Sequence, residues 1–162
     1  SGETADTIAA LKLAKEKGCK TIAVTSNENA KTKEFADVFI CAKTGAEAIS
    51  GSTRMKAGTA QKLILNMLTT SAMVKVGKVY KNYMIDVKPT NIKLKNRAVK
   101  IVSKIAEVSE DESLLALQEN DFKIKPVILK LKNGVEIADA ERLLAENKGV
   151  LRKVFEQIEK EK

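Results

Sequence analysis

Thr21-Ile-Ala-Val-Thr25 and Val38-Phe-Ile-Cys41 are the two apolar runs that decide the fold of this chain. Each has the length and the β-branched or aromatic residues of a buried strand in a parallel sheet. A helix is predicted ahead of the first run, ending at Gly18, and a short helix is predicted between the runs, ending near Ala36. The order helix, strand, helix, strand predicts a doubly wound α/β sheet.

Two polar stretches lie where such a sheet binds its ligands, beyond the carboxyl ends of the strands. One is Ser1-Gly-Glu-Thr4, a hydroxyl-rich turn that leads into the first helix. The other follows the second strand and reads Gly45-Ala-Glu-Ala-Ile-Ser-Gly-Ser-Thr-Arg-Met-Lys-Ala-Gly-Thr-Ala-Gln-Lys62. A helix N-terminus provides unpaired N–H groups and a partial positive charge, which suit a phosphate. Plain helix capping is the alternative, and residue spacing alone leaves it open.

Composition excludes several classes of protein. The 162 residues carry 29 basic and 21 acidic side chains, a net charge of +8 that favours anionic ligands. The lysines are dispersed along helical faces and aromatic residues are scarce, so we expect no nucleic-acid partner. No apolar run approaches the ~20 residues of a membrane span, so we expect no membrane contact either. The chain has no histidine, which excludes a Ser-His-Asp triad and a His-bearing zinc site.

The two cysteines, Cys19 and Cys41, lack the clustered spacing of metal ligands. They predict reduced, partly buried thiols. No secretory signal is visible, which predicts a cytoplasmic location, and we expect no metal and no cofactor. The chain opens at Ser1 with no strand ahead of its first turn, and two strands cannot form a stable open sheet. We therefore expect the C-terminal part of a larger domain.

Helices dominate the rest of the sequence. One long apolar helix is predicted from Met55 to Tyr80, buried on most sides, and another is predicted to start at Thr90 behind Pro89. A capping box at Ser109 begins four short amphipathic helices, which predict a small bundle. The predicted domains are residues 1–107, the α/β part, and residues 108–162, an all-helical subdomain.

The two polar stretches resemble a known family. Residues 1–7 are similar to the phosphate-gripping turn of the sugar isomerase (SIS) domain superfamily. Residues 45–62 resemble the signature shared by N-acetylmuramic acid 6-phosphate etherases and the glucokinase regulatory protein. The runs Asp86-Val-Lys-Pro-Thr-Asn91 and Asn96-Arg-Ala-Val99 are similar to the etherase branch in particular. The resemblance is specific over about the first hundred residues and loose beyond Glu110.

The resemblance implies a lyase that cleaves the D-lactyl ether of N-acetylmuramic acid 6-phosphate, giving N-acetylglucosamine 6-phosphate and D-lactate, in cell-wall recycling. It implies ring opening, removal of the C2 proton, elimination of lactate and addition of water, without a metal. The acid and base glutamates of the family lie upstream of the Ser-Gly-x-Thr turn. No catalytic residue is therefore expected in this sequence, and the chain by itself is expected to be inactive.

The resemblance also implies a set of substrate-binding residues. Ser1 and Thr4 match phosphate ligands, Glu47 and Ser52 match positions that contact the sugar, and Arg54 matches the motif without a settled role. Lys56 also matches the motif, and both cations could instead close the helix N-terminus against Glu47. The full expected set is Ser1, Gly2, Thr4, Glu47, Ser50, Ser52, Thr53, Arg54 and Lys56.

Two other functions remain open. One is a non-catalytic phosphosugar-sensing SIS module that regulates a partner, and the other is an isomerase of the SIS type, which the Asp86–Asn91 run disfavours. In every case the expected ligand is a sugar phosphate. Because SIS domains commonly dimerise and the long helix needs cover, we expect a homodimer or a larger homo-oligomer.

Overall fold

The computed structural model describes residues 1–160 of the chain. It divides into two compact units, the first being Ser1–Thr69 and the second starting at Thr70. Seven α-helices and four short strands lie in the described residues. The first unit is mixed α/β and the second is largely helical.

The first unit follows the predicted order. Helix α1 (Ala5–Glu16) precedes strand β1 (Ile22–Thr25), a 3₁₀ helix covers Lys31–Phe35, and strand β2 (Val38–Cys41) follows. The two strands are parallel, with Ile22 opposite Val38 and Thr25 opposite Cys41. The α/β prediction is therefore confirmed, although the short helix between the strands is 3₁₀ and not α.

Thr21 and Asp37 fix the start of the two strands. The Asp37 carboxylate accepts the backbone N–H of Thr21 at 2.8 Å, and the Thr21 hydroxyl donates to the carbonyl of Phe35 at 3.0 Å. The hydrogen bond from the Thr21 backbone holds the pKa of Asp37 below its usual value. These contacts set the register that brings the carboxyl ends of β1 and β2 together.

Burial in the first unit differs from the sequence prediction. Ile22 and Val38, at the start of the two paired strands, are about half exposed. Cys41 is partly buried as predicted, whereas Cys19 is exposed because it follows the turn that ends α1; both are free thiols.

The long helix α2 (Lys56–Lys75) is shorter and more exposed than predicted. The helix ends before Gly77, because the φ of +74° at this residue is incompatible with a right-handed helix. Tyr80, which was predicted to end the helix, lies in a β-hairpin instead. None of the α2 residues is buried within the described chain, although the apolar positions of this helix led us to expect burial on most sides. It contains the boundary between the two units.

The second unit builds the main hydrophobic core. A hairpin of β3 (Val79–Tyr80) and β4 (Tyr83–Met84) precedes five helices. These helices are α3 (Ile92–Ala106), α4 (Glu110–Glu119), α5 (Ile124–Asn133), α6 (Ile137–Glu146) and α7 (Leu151–Lys160). Fully buried side chains such as Val102, Leu117 and Ile128 form one cluster, so burial of apolar surface holds the helices together.

Local capping explains where two of these helices begin. Asn91, and not the predicted Thr90, caps α3 by accepting the backbone N–H of Leu94 at 2.9 Å. Ser109 caps α4 as predicted, accepting the backbone N–H of Glu112 at 3.1 Å.

The compact units divide earlier than the boundary after residue 107 that the sequence predicts. The reason is the packing of α3, which contacts both α4 and α5 and carries buried residues from Ala98 to Ala106. A helix with that much buried surface against the bundle belongs to the bundle.

Candidate functional site

The Ser1–Thr4 turn is held in place by the residues after β1. The backbone carbonyl of Gly2 accepts the N–H of Thr32 at 3.2 Å, and the Glu3 carboxylate accepts the N–H of Lys31 at 2.9 Å. The Lys31 ammonium also pairs with Glu3 at 3.5 Å. Gly2 has a φ of +73° and lies so close to the 30–32 segment that a Cβ there would stand 2.4 Å from the Cβ of Ala30. Glycine is therefore required at this position.

This turn leaves the start of α1 open. Thr4 occupies the N-cap position, but its side chain makes no capping hydrogen bond, and the first helical bond runs from the N–H of Ile8 to the Thr4 carbonyl. Within residues 1–160, the backbone N–H groups of residues 5–7 and the hydroxyls of Ser1 and Thr4 have no hydrogen-bond partner. Free amides and hydroxyls at a helix N-terminus form an anion-binding arrangement.

A pocket of about 380 Å³ lies beside this helix start, entirely within the first unit. Its walls come from the turn, from the carboxyl end of β1 and from the first turns of α2. The polar residues that line it are Ser1, Thr4, Thr7, Thr25, Ser26, Thr32, Thr53 and Gln61. Hydroxyls and an amide bind and orient a phosphorylated polyol, but no lining side chain is a carboxylate, lysine or histidine that would transfer a proton.

Thr32 lines the same pocket with an unusual hydroxyl. The residue is only 2% exposed, and its Oγ1 has no hydrogen-bond partner in the described chain. That oxygen lies 3.0 Å from the point where a Gly2 Cβ would stand. A buried hydroxyl without a partner costs free energy, so this one is available for a ligand or a bound water.

Glu47 occupies the start of α2. Its two carboxylate oxygens accept the backbone N–H groups of Lys56 and Ala57, each at 3.0 Å. The next amide, that of Gly58, donates to the Thr53 carbonyl at 2.9 Å. The hydrogen bonds that Glu47 accepts lower its pKa, and the bond from the Ala57 amide has a larger effect than the bond from the Lys56 amide. The α2 N-terminus is therefore filled by a carboxylate of the chain itself, whereas the α1 N-terminus keeps its amides free.

The three cations of the 45–62 segment, Arg54, Lys56 and Lys62, lie outside the pocket. The Lys56 ammonium donates to the carbonyl of Ala46 at 2.7 Å and so closes the loop that carries Glu47. Arg54 is exposed and makes no ion pair within residues 1–160. Ser50 and Ser52 are also absent from the pocket wall.

The pocket thus brings together four of the nine residues expected from the sequence, Ser1, Gly2, Thr4 and Thr53. Five polar lining residues were missed, Thr7, Thr25, Ser26, Thr32 and Gln61. The position of Thr25 and Ser26 at the carboxyl end of a predicted parallel strand was a usable signal. Thr7 lies in the first turn of α1, next to the turn that was singled out, and Gln61 lies in the second turn of α2, where the sequence carries no comparable mark.

Two features of the described residues bear on other kinds of site. Residues 1–160 contain no group of three or more Cys, Asp and Glu side chains arranged to hold a metal ion. Among the described helices, none combines the length and the apolar character that crossing a bilayer requires.

In the first unit, hydroxyls and free helix amides lie together at the carboxyl end of a parallel strand pair, which is where open α/β domains place their ligand sites. Residues 1–71 match the SIS domain family. Residues 81–132 match the family described as the C-terminal lid domain of glucokinase regulatory protein.

Curated relatives extend the similarity to nearly the whole chain. The chain is 50% identical over 152 residues to an N-acetylmuramic acid 6-phosphate etherase of Yersinia pestis (strain Pestoides F) and to one of Yersinia pseudotuberculosis serotype O:1b (strain IP 31758). The match covers 94% of this chain and 52% of each relative, so the chain spans about half the length of these proteins. The resemblance inferred from the two polar stretches is thereby confirmed.

Proposed function

We propose that this chain is the phosphosugar-binding part of a carbon–oxygen lyase that cleaves the D-lactyl ether of N-acetylmuramic acid 6-phosphate. The observation that carries the proposal is the open start of α1, where three backbone amides are free and Ser1, Thr4 and Thr7 line the pocket. The ligand phosphate binds there, and the sugar extends toward Thr25 and Thr53. The 50% identity to etherases supports the choice of sugar.

The chain by itself binds the sugar phosphate but does not cleave its ether. Elimination of lactate needs a base for the C2 proton and an acid for the departing oxygen, and the pocket wall offers neither. Glu47 is engaged with the α2 backbone and has a lowered pKa, which suits a fixed carboxylate better than a proton donor. Its expected contact with the sugar, like those of Ser50, Ser52, Arg54 and Lys56, stays a prediction.

Calorimetric titration of the 162-residue chain tests the binding step. N-acetylmuramic acid 6-phosphate should bind, and the unphosphorylated sugar should bind at least tenfold more weakly, because hydrogen bonds to a charged group contribute roughly 1.5–3 kcal/mol. Thr4→Val should weaken the phosphorylated ligand by about tenfold, whereas Thr59→Val, which removes an exposed hydroxyl outside the pocket, should not. Equal binding of both sugars would refute the anion site.

A lactate-release assay on the same preparation tests the catalytic part. We expect no turnover from the chain alone and turnover from a full-length protein that contains it. Appreciable release by the chain alone would contradict the inference that its acid and base are supplied from elsewhere.

A second function, a phosphosugar sensor that regulates a partner, is favoured by the match of residues 81–132 to the regulatory-protein lid family. A sensor binds sugar phosphates in its full-length form without releasing lactate, which separates it from a lyase.

A cytoplasmic location and a homodimer or larger homo-oligomer accompany either function as proposals. The apolar residues left exposed on α2, such as Leu63, Met67 and Met73, support association. Light scattering that finds only monomer at high concentration would contradict it.

A further inference from the structure

An apolar groove lies between the β3–β4 hairpin and α3 in the second unit. Its volume is about 790 Å³, and the apolar part of its lining consists of Tyr83, Met84, Ile92 and Ile101. Ile92 is 79% exposed and Met84 is 48% exposed, although both are large apolar side chains. Ile101, by contrast, is buried and belongs to the hydrophobic core, so the groove is continuous with that core. Exposed apolar residues gathered around a groove mark a contact surface.

A row of cations on α3 lines the same groove. Lys93, Arg97, Lys100 and Lys104 follow one another at intervals of four, three and four residues, which places them on one side of the helix. Within residues 1–160 none of the four forms an ion pair, and none of the lining residues is acidic. Lys93 lies in the first turn of α3, where the helix dipole disfavours a positive charge. The stability of α3 therefore does not account for this row.

The length of the row limits what can occupy the groove. At 1.5 Å per residue, Lys93 and Lys104 are roughly 16 Å apart along the helix axis. An occupant that meets every cation must be about as long and must carry negative charge along its whole length. It must also present apolar side chains, because charged groups alone would leave Ile92 and Met84 in contact with water. A helix of about three turns, with apolar and acidic residues on adjoining faces, meets both conditions.

The lining and its surroundings disfavour two other anionic partners. Single-stranded nucleic acid stacks its bases on aromatic side chains, and Tyr83 is the one aromatic residue in the lining. An anionic bilayer is flat and meets everything beside the row. The carboxylates of Glu110 and Asp111 lie there, since both residues line a shallow depression together with Lys100. A flat anionic surface is repelled by these carboxylates, whereas a helix that lies along the groove need not reach them.

We propose that this groove binds an acidic amphipathic helix of a partner protein. Its apolar side chains lie against Ile92 and Met84, and its carboxylates pair with the four cations of the row. The buried apolar contact supplies most of the affinity, and the charge pairs fix the orientation of the helix and raise the association rate. The proposal does not depend on the sugar phosphate site, because every residue that it uses lies in the second unit.

A synthetic peptide tests the groove in the 162-residue chain. The probe is a fluorescein-labelled helix of about fourteen residues, with leucines at intervals of three and four residues and glutamates on the adjoining face. A scrambled peptide of the same composition, in which leucines and glutamates are mixed on every face, is its control. Because the net charge of +8 attracts both peptides equally, only a shaped site distinguishes them. Fluorescence anisotropy at about 0.15 M salt should show at least tenfold tighter binding of the amphipathic peptide.

Charge reversal locates the binding on α3. Arg97→Glu with Lys100→Glu should weaken the amphipathic peptide at least tenfold, because like charges then face one another. The matched control is Arg152→Glu with Lys153→Glu on α7, which changes the net charge equally at exposed residues without an ion pair in the described chain. It should keep the affinity within about twofold of the wild type, since screening confines charge effects to short distances. Circular dichroism confirms that each variant is folded.

The apolar contact has its own pair of variants. Ile92→Ser removes an exposed isoleucine from the groove and should weaken the peptide by about threefold or more. Ile49→Ser removes an isoleucine that is 71% exposed and lies outside the groove, and it should have no effect. Because both side chains are exposed, neither change endangers folding.

Several results would overturn the proposal. Equal affinity for the two peptides, or a loss in the α7 control as large as that in the α3 variant, would reduce the row to general surface charge. Row-dependent binding of phosphatidylglycerol vesicles or of a single-stranded oligonucleotide, without binding of the amphipathic peptide, would assign the row to a different partner. A full-length protein that contains the chain should bind the peptide with similar affinity, and failure to do so would mean that another part of that protein covers the groove.

Discussion

The carboxylate of Glu47 accepts the backbone N–H of Ala57 at 3.0 Å and so joins the loop after β2 to the first turn of α2. Because this bond lowers the pKa of Glu47, the folded state holds the charged form more strongly than the unfolded state does. Its contribution to stability is complete above the ordinary glutamate pKa and is lost as the pH falls through the lower value of the folded protein.

Glu47→Gln should therefore lower the stability of the chain at neutral pH, and the difference from wild type should shrink on acidification. Urea unfolding midpoints between about pH 7 and about pH 3 measure this. Glu34→Gln removes an exposed carboxylate that has no ion pair in residues 1–160, and serves as the control. A difference that stays constant with pH would show that the charge of Glu47 is not what stabilises α2.

Alanine in place of Gly2 tests whether the Ser1–Thr4 turn binds the phosphate, and alanine in place of Gly18 is the matched control. Both have a positive φ, +73° and +75°, so alanine at either position costs roughly 1–2 kcal/mol of backbone strain. Only at Gly2 does the new Cβ also meet Ala30, at 2.4 Å. Gly2→Ala should abolish sugar phosphate binding in a titration, whereas Gly18→Ala should lower stability and retain binding. Equal affinities in the two variants would exclude the Ser1–Thr4 turn from the site.

Thr32 and Thr25 make a second matched pair. The buried Thr32 hydroxyl has no partner, whereas the Thr25 hydroxyl accepts the N–H of Asn27 at 3.1 Å. Thr32→Val should raise the free energy of unfolding of the ligand-free chain by about 1 kcal/mol, and Thr25→Val should lower it by about 1 kcal/mol. Chemical denaturation measures both. Destabilisation by Thr32→Val would mean that a bound water satisfies the hydroxyl.

The strands and their parallel pairing could be predicted from the sequence, because β1 and β2 are short apolar runs separated by a crossover of turn and helix. Their burial could not. Whether Ile22 or Val38 is covered depends on which elements lie beside the strand pair, and a local pattern contains no information on that.

The candidate site shows the same limit. Ser1, Gly2 and Thr4 are neighbours in sequence, so their turn could be predicted from local chemistry. Glu47 could be singled out as an unusual carboxylate, but its choice of the Lys56 and Ala57 amides over a ligand depends on how the loop folds back. The end of α2 was missed for a different reason. Its stop signal, Gly77, is present, but the apolar residues on both sides of it continue the helical pattern.

Gly77 stands where the chain leaving α2 meets the turn before α7. A Cβ on it would lie 2.8 Å from the Cα of Val150 and 2.9 Å from the carbonyl oxygen of Gly149, neither of which can move without the backbone. Gly134, which ends α5, has a similar φ of +70° but open space around it. Gly134→Ala should therefore cost roughly 1–2 kcal/mol, from strain alone. Gly77→Ala should cost a further 1–3 kcal/mol or so, because crowding against backbone atoms adds to the strain. Thermal unfolding followed by circular dichroism compares the two, and equal losses would mean that the turn at Gly149 yields freely to accommodate the side chain.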